Sequence, residues 1–388
     1  MDKFDVELRK HKFIVLSQDH YNPLDVIRSL GEKNLKPISI LYGEHQWMIP
    51  HCKYVEKLFQ VETLEQGFHL LIDKFGNEDE KPFIYCSDDT TTSFLDQRYD
   101  ELKDKFYLYN AGEQGRITWL QNKDNITRLA TEVGLCIPKS EVVATGVLPK
   151  TLKYPVITKV LASTMGAWKG DVYICENEEQ LLEAYKKIKS QKLIIQEYIR
   201  KKNEFDMEGF SINDGKDVFF PFVNDFLRLY DNSYGHYMTF RPFEDKELRD
   251  KICELFKLTR FNGIFEIEFM LGPNDEQYFL EINLRASTWN YAINVGGGNM
   301  PYFWAKSTLM GRIPYEEMDL RKETFTAMVE PDDFILNVCK MKRVSFLKWL
   351  KEVRECECHY FYNSKDKSPF YHYIYNRILN MVRNRIFS

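Results

Sequence analysis

Phe265-Glu266-Ile267-Glu268-Phe269, then Gly272-Pro273-Asn274-Asp275, then Phe279-Leu280-Glu281-Ile282-Asn283-Leu284-Arg285 is the stretch that decides the fold. Each flank alternates apolar and polar residues with the period of a strand, which puts Glu266 and Glu268 on one face and Glu281 with Asn283 on one face. Gly, Pro, Asn and Asp between the flanks are turn residues, so the two strands form a hairpin. Centring the turn between Asn274 and Asp275 sets Glu268 opposite Glu281. Carboxylates facing each other with Cβ atoms about 5 Å apart repel unless a cation lies between them. Magnesium takes oxygen ligands and is commonly held by one or two carboxylates plus substrate phosphates, so it is the natural candidate. Considered alone, the same two glutamates also fit a solvated hairpin face.

Outward from the hairpin, the preceding segments read as strands at Leu193 to Gln196, Phe205 to Ile212, Val218 to Val223 and His236 to Phe240. A helix near Asp245 to Thr259 separates them from it. These lengths predict a largely antiparallel sheet. Further upstream come a helix from about Lys123 to Val133, a strand Val156 to Val160, a Gly-containing loop, a strand Val172 to Ile174 and a helix from about Glu178 to Lys189. The first hundred residues alternate strands (Phe13–Leu16, Ile38–Leu41, near Tyr54–Phe59, Phe83–Cys86) with helices near 23–33, 64–75 and 93–102, which predicts a small doubly wound parallel sheet. No Gly-x-Gly-x-x-Gly follows its first strand, so nothing marks a dinucleotide site there.

The chain has 388 residues, 44% hydrophobic and 29% charged, enough for two or three domains and too regular for disorder. Its net charge of −5 argues against a nucleic-acid partner. From Lys340 onward eleven Lys/Arg stand against four Asp/Glu, a local +7, so the body carries −12. The acidic start and the lack of about 18 consecutive apolar residues predict a cytoplasmic protein. Eight scattered cysteines read as reduced thiols.

Glu281-Ile282-Asn283-Leu284-Arg285 resembles the metal strand of the ATP-grasp superfamily, Glu-x-Asn-x-Arg after an earlier strand glutamate, with Glu268 in that earlier place. The resemblance implies an α/β (α+β) fold: an N-terminal parallel-sheet domain (1–114), a two-lobed ATP-grasp domain (115–313, small lobe about 150–200, metal hairpin 263–285) and a helical basic C-terminal extension (314–388). It implies ATP and two Mg2+ ions, with Mn2+ able to substitute. Glu268, Glu281 and Asn283 would hold the metals and Arg285 would steady the transferring phosphate. Lys123 and Lys159 match the nucleotide-phosphate lysines, Gln196-Glu197-Tyr198-Ile199 the adenine hinge, and Glu204 the ribose-binding acid. The loop 162–170, with Ser163, Gly166 and Lys169, stands where the family closes a lid over the phosphates, and Lys169 is either a γ-phosphate contact or a solvated loop-tip charge.

Downstream, Asn290 and the Gly296-Gly297-Gly298-Asn299 turn before a helix resemble the acceptor segment of D-aspartate ligases and related carboxylate-amine ligases. An N-cap at Asn299 would aim free N–H groups at a carboxylate or acyl phosphate. Arg228 and Arg241 each fit either a substrate-carboxylate clamp or a surface role, Arg241 being the favoured clamp. His236 reads as structural or solvent-facing. The implied activity is an ATP-dependent carboxylate-amine ligase, with an amino acid or other small amine and a carboxylate acceptor as partners. D-aspartate on a cell-wall peptide, or an amino acid on a surface polysaccharide's uronic acid, are the substrate expectations. Other activities of the same fold, and a non-catalytic ATP-binding protein, are the rivals. The helix expected at Tyr371 to Ile386 spaces apolar residues between arginines, which fits contact with the inner membrane surface or packing on the protein or on a second copy.

Overall fold

The computed structural model describes residues 3–44, 47–159, 171–229 and 235–386. The N-terminal unit is a four-stranded parallel sheet in the order β3-β2-β1-β4, with β1 at Phe13–Ser17, β2 at Ile38–Tyr42, β3 at Lys57–Val61 and β4 at Phe83–Tyr85. The helix Leu64–Phe75 begins as its sequence dictates, Thr63 and Gln66 closing a reciprocal capping box. The single helix expected near 93–102 is instead two, Asp89–Asp96 and Tyr99–Leu102. Asp88 caps the first by accepting from the Thr91 N–H, so it starts four residues earlier than apolar spacing alone suggests.

A second four-stranded sheet, antiparallel, contains β5 (Ser140–Ala144), β6 (Val156–Lys159), β7 (Ile174–Cys175) and β8 (Lys192–Glu197) in the order β5-β8-β6-β7. It has its own small core of Val143, Val156, Leu181, Leu193 and Ile195. The largest sheet has eight strands: β9 (Asn203–Ile212), β10 (Asp217–Phe219), β11 (Phe222–Phe226), β12 (Tyr237–Pro242), β13 (Gly263–Leu271), β14 (Gln277–Asn283), β15 (Phe325–Met328) and β16 (Cys358–His359). Seven lie in the order β14-β13-β9-β11-β12-β15-β16, and β10 pairs with β9. The strand expected at Val218 to Val223 is divided between β10 and β11, with Phe220 and Pro221 between them, because Pro221 has no N–H to give a ladder.

The hairpin register agrees with the sequence at its functional end: Glu266 faces Asn283, Ile267 faces Ile282 and Glu268 faces Glu281. Beyond that the ladder slips by one, Phe269 facing Phe279, so Leu280 is an extra residue in β14. A bulge of this kind re-aims neighbouring side chains.

The C-terminal segment is not an appendage. β15 and β16 extend the large sheet, and the buried Arg28 of the first domain ties the chain's end to its beginning. Its guanidinium donates to the carbonyls of Tyr360 (2.7 Å), Phe361 (3.1 Å) and Asp366 (3.2 Å) and pairs with the Asp366 carboxylate at 3.1 Å. The last helix, Ser368–Ile386, packs Tyr373 and Ile374 on the core while Tyr371, Tyr375 and Ile378 stay exposed. No helix among the described residues is long and apolar enough to cross a membrane. Arg28→Met should therefore unfold the protein at lower temperature, at a cost of about 3–5 kcal/mol, because Asp366 and three carbonyls would be left buried without their donor. Thermal and urea unfolding followed by circular dichroism measure it.

Candidate active site

Three adjacent strands of the large sheet set acids side by side. Asp206 on β9, Glu268 on β13 and Glu281 on β14 form one transverse row, and Glu208, Glu266 and Asn283 form the next. Glu204 lies one step further along β9. Alternation along each strand turns both rows to one face, where Glu204, Asp206, Glu266, Glu268, Glu281 and Asn283 line a cleft of about 1200 Å³. The N-terminal unit also lines it, through His20, Tyr21 and Asn22 at the start of the helix Tyr21–Glu32 and Asp89 at the start of the helix Asp89–Asp96.

The positive groups sit at the edges of this acidic floor. Lys123, first residue of the helix Lys123–Glu132, ion-pairs with Glu281. Arg285 donates from Nε to Asp89 at 2.7 Å and from a terminal nitrogen to the Asn283 side-chain oxygen at 3.2 Å. The Asn283 amide donates to Glu266 at 2.7 Å and to Glu268 at 2.8 Å. Glu208, fully buried, accepts from the Ser287 hydroxyl at 2.6 Å and the Trp289 N–H at 2.9 Å, which fixes the turn after β14.

Charge balance follows from these contacts. Burial, and then the charges of Glu281 and Glu266, push the Glu268 carboxyl well above the ordinary range. Asp206 is pushed up by burial and by Glu268 and Glu266. Burial works in the same direction on Glu281, but Lys123 overrides it and holds that carboxyl low. The Glu268 and Glu281 carboxylates, held on neighbouring strands and in excess of the cations near them, are a donor set that fits magnesium; the Asn283 oxygen is turned to Arg285 and its NH2 to the glutamates.

A narrower hollow of about 170 Å³ continues from the cleft between the large sheet and the β5-β8-β6-β7 sheet. Lys123, Glu268 and Glu281 border both spaces, and Lys159, Gln196, Ile137, Ile194, Phe279 and the bulged Leu280 line the inner one. Lys159 donates to the Gln196 side chain at 2.7 Å. Burial, with Lys123 nearby, brings the Lys159 ammonium down to about 8. A slot with Ile137, Ile194 and Phe279 on its walls, ending in two lysines and a carboxylate pair, suits a flat base joined to a polyphosphate.

Several expected residues are placed elsewhere. Glu197, Tyr198 and Ile199 line neither space. The Glu197 carboxylate accepts from the Lys139 N–H at 2.7 Å, and the Tyr198 N–H donates to Pro155 at 3.0 Å. Arg241 is half-exposed on β12, paired with Asp225 at 3.2 Å, and does not line the cleft. Arg228 is buried and holds Asp333 at 2.5 Å and also Glu352. Asn290, Gly297, Gly298 and Asn299 are also outside the cleft lining. Asn299 does cap the helix Met300–Met310, but it is buried, donating to Ser29 and accepting from the Tyr302 N–H. Gly297 has φ +95°, and a Cβ there would lie 1.9 Å from the Asp319 carbonyl, so the glycines serve close packing. Ser163, Gly166 and Lys169 lie outside the described residues. Sequence reasoning did not single out Asp206, Glu208 and Glu266 as further acids of these two rows, although Glu204-x-Asp206-x-Glu208 shows the same period-two pattern. It also missed Asp89, which only the folded chain brings to Arg285. His236, expected to be structural or solvent-facing, borders the cleft with its Nδ1 buried and unpartnered.

Residues 124–218 match the RimK-like ATP-grasp domain. The chain has the ATP-grasp fold. N5-carboxyaminoimidazole ribonucleotide synthase of Staphylococcus aureus (strain COL) is 25% identical over 171 residues, 42% of this chain and 43% of the relative, so the match spans less than half of that protein. Among solved structures, N5-carboxyaminoimidazole synthetase from S. aureus complexed with ADP superposes with a TM-score of 0.65 at 16% identity, covering 84% of each chain. L-amino acid ligase from Bacillus licheniformis gives 0.62 at 15% identity, over 83% of this chain and 80% of that one.

The raised Glu268 carboxyl gives a pair of expectations. A carboxyl whose folded pKa is raised costs stability once the pH passes from its unfolded pKa through the folded one, and each tenfold change in proton affinity is worth about 1.4 kcal/mol. At neutral pH Glu268→Gln should thus raise the melting temperature of the metal-free protein. It should also abolish the further rise that Mg2+ or Mn2+ gives the unaltered chain. Thermal melts with and without EDTA check both.

Proposed function

We propose that this ATP-grasp protein is an ATP- and Mg2+-dependent ligase that joins a carboxylate to an amine through an acyl phosphate, releasing ADP and phosphate. The observation that carries this is the Glu268/Glu281 pair beside two lysines from different parts of the fold, Lys123 and Lys159, at the junction of a narrow slot and a large cleft. The slot takes the adenine and ribose, with Gln196 at its wall and Glu204 at the cleft side. Lys123 and Lys159 neutralise the phosphates. Glu268, Glu281 and Asn283 hold the magnesium ions, which when bound offset charge on the phosphate oxygens.

The acceptor carboxylate attacks the γ-phosphate from the cleft side. Arg285, fixed by Asp89 and Asn283, supplies a planar donor for the oxygens of the transferring group. Attack of the amine on the acyl carbon then forms the amide and expels phosphate. The acceptor and amine occupy the wall of His20, Tyr21, His236 and Trp289, since the segment around Asn299 is buried. Side chains here position and balance charge, and no nucleophilic residue is required. The S. aureus synthase and the B. licheniformis ligase, by their names, are C–N bond-forming enzymes of the same type. An amino acid as the amine is the reading that the sequence resemblance favours, with D-aspartate and a cell-wall acceptor its narrowest form.

A panel of amino acids and carboxylates scored for ADP release identifies the pair. With it, oxygen-18 in the acceptor carboxylate should appear in the released phosphate. Glu281→Gln, which removes charge without volume, should lower kcat on the order of a hundredfold or more while the fold is kept. Label retained wholly in the amide and unreacted acid, or full turnover by folded Glu281→Gln, contradicts the reading.

A further inference from the structure

Lys340-Met341-Lys342-Arg343-Val344-Ser345-Phe346-Leu347-Lys348-Trp349-Leu350-Lys351-Glu352-Val353-Arg354 carries six Lys/Arg against one Glu. Its helix, Phe346–Glu355, starts at the Ser345 cap, whose hydroxyl accepts from the Lys348 N–H at 3.3 Å. An amphipathic helix of a globular protein normally turns its apolar stripe to the core. Here no residue of the helix is buried. It touches the body along one edge: Trp349 packs on Phe334 with ring centroids 4.8 Å apart, Phe346 meets the same ring edge-on at 6.2 Å, Glu352 pairs with the buried Arg228, and the Val353 carbonyl meets His359 at 2.8 Å.

That edge fixes what faces outward. At 100° per residue, Trp349, Val353 and Glu352 share the inner side. Phe346, Leu350 and Leu347 follow on the next flank, and Arg354, Lys351 and Lys348 continue around the helix. Phe346 is 53% exposed and Leu347 77%, with Leu350 and Met341 also exposed. Lys348 and Lys351 are about as exposed as Leu347, and each lies near an acid one turn on, Glu352 at 3.9 Å and Glu355 at 3.7 Å, pairs weak enough at the surface to yield to headgroup phosphates. An outward apolar ridge bordered by lysines and an arginine thus rises on an otherwise acidic protein.

We propose that this ridge, residues 340–354, docks the protein on an anionic lipid surface, with Phe346, Leu347 and Leu350 entering the headgroup boundary and Lys348, Lys351 and Arg354 meeting the phosphates. Charge complementarity selects this occupant. A second copy seated symmetrically would set the same five excess positive charges against themselves. A convex ridge also offers a folded partner no pocket to fill, whereas a bilayer supplies both an apolar interior and negative headgroups without needing a matching shape. The final helix, whose sequence also suits such a role, is anchored to the body through Tyr373, Ile374 and the Arg377–Asp332 pair at 4.0 Å. The attachment of Glu352 to Arg228 orients the ridge, independently of whether the cleft is a ligase site.

The test is co-sedimentation of the full chain with vesicles of equal parts phosphatidylglycerol and phosphatidylcholine, against vesicles of phosphatidylcholine alone. The unaltered protein should pellet with the anionic vesicles at low salt, less at high salt, and not with the neutral ones. Leu347→Asp should weaken this about tenfold or more. Lys348→Glu with Lys351→Glu should remove the salt-sensitive part. All these side chains are exposed, so the melting temperature should be unchanged. No pelleting of the unaltered chain, equal pelleting of Leu347→Asp, or loss through Ile378→Asp in the final helix alone would overturn the assignment. So would a dimer in light scattering that Leu347→Asp dissolves while leaving vesicle binding intact.

Discussion

Mutual repulsion among carboxylates on three neighbouring strands is the constraint around which this protein is built. β9, β13 and β14 present Asp206, Glu268 and Glu281 in one row and Glu208 and Glu266 in the next, mostly shielded from water. Such a floor survives folding only with cations in place or protons shared, and Lys123 and Arg285 supply part of what is needed. Glu208 also ties the floor to the turn after β14, so the acids position the chain as well as ligands. A divalent cation bound at these carboxylates, as proposed, would relieve that cost.

The rest of the architecture distributes groups around that floor. Lys159 arrives on β6 of the smaller sheet and Lys123 on a separate helix, and both line the same slot. The extra residue at Leu280 lets Phe279, Leu280 and Glu281 all border the inner slot, which a regular strand would not allow. The first domain forms the far wall of the cleft, and Arg28 locks the C-terminal strands to it.

What was legible in the sequence was local and periodic. Alternation plus turn chemistry was enough to set Glu268 opposite Glu281, and spacing with an Asn before Pro301 was enough to find a capped helix at Asn299. Neither pattern tells which side of a packed molecule an element faces. Asn299 and its glycines therefore read as an anion site when they are buried packing, and Arg241 read as a clamp when it pairs with Asp225 on the outer reach of β12. Asp89 stands 196 residues from Arg285, and no local pattern joins them. The C-terminal strands were missed because they are only two and four residues long, too short to carry a period.

The most direct measurement of the central claim is a crystal structure with a non-hydrolysable ATP analogue and Mn2+, using the anomalous signal of manganese. The metal should lie between Glu268 and Glu281, about 2.1 Å from carboxylate oxygens. The nucleotide base should fill the slot beside Gln196, with its phosphates reaching Lys123 and Lys159. Manganese elsewhere, or a nucleotide bound with no metal at this pair, would contradict the assignment of the carboxylate rows as a metal-nucleotide site.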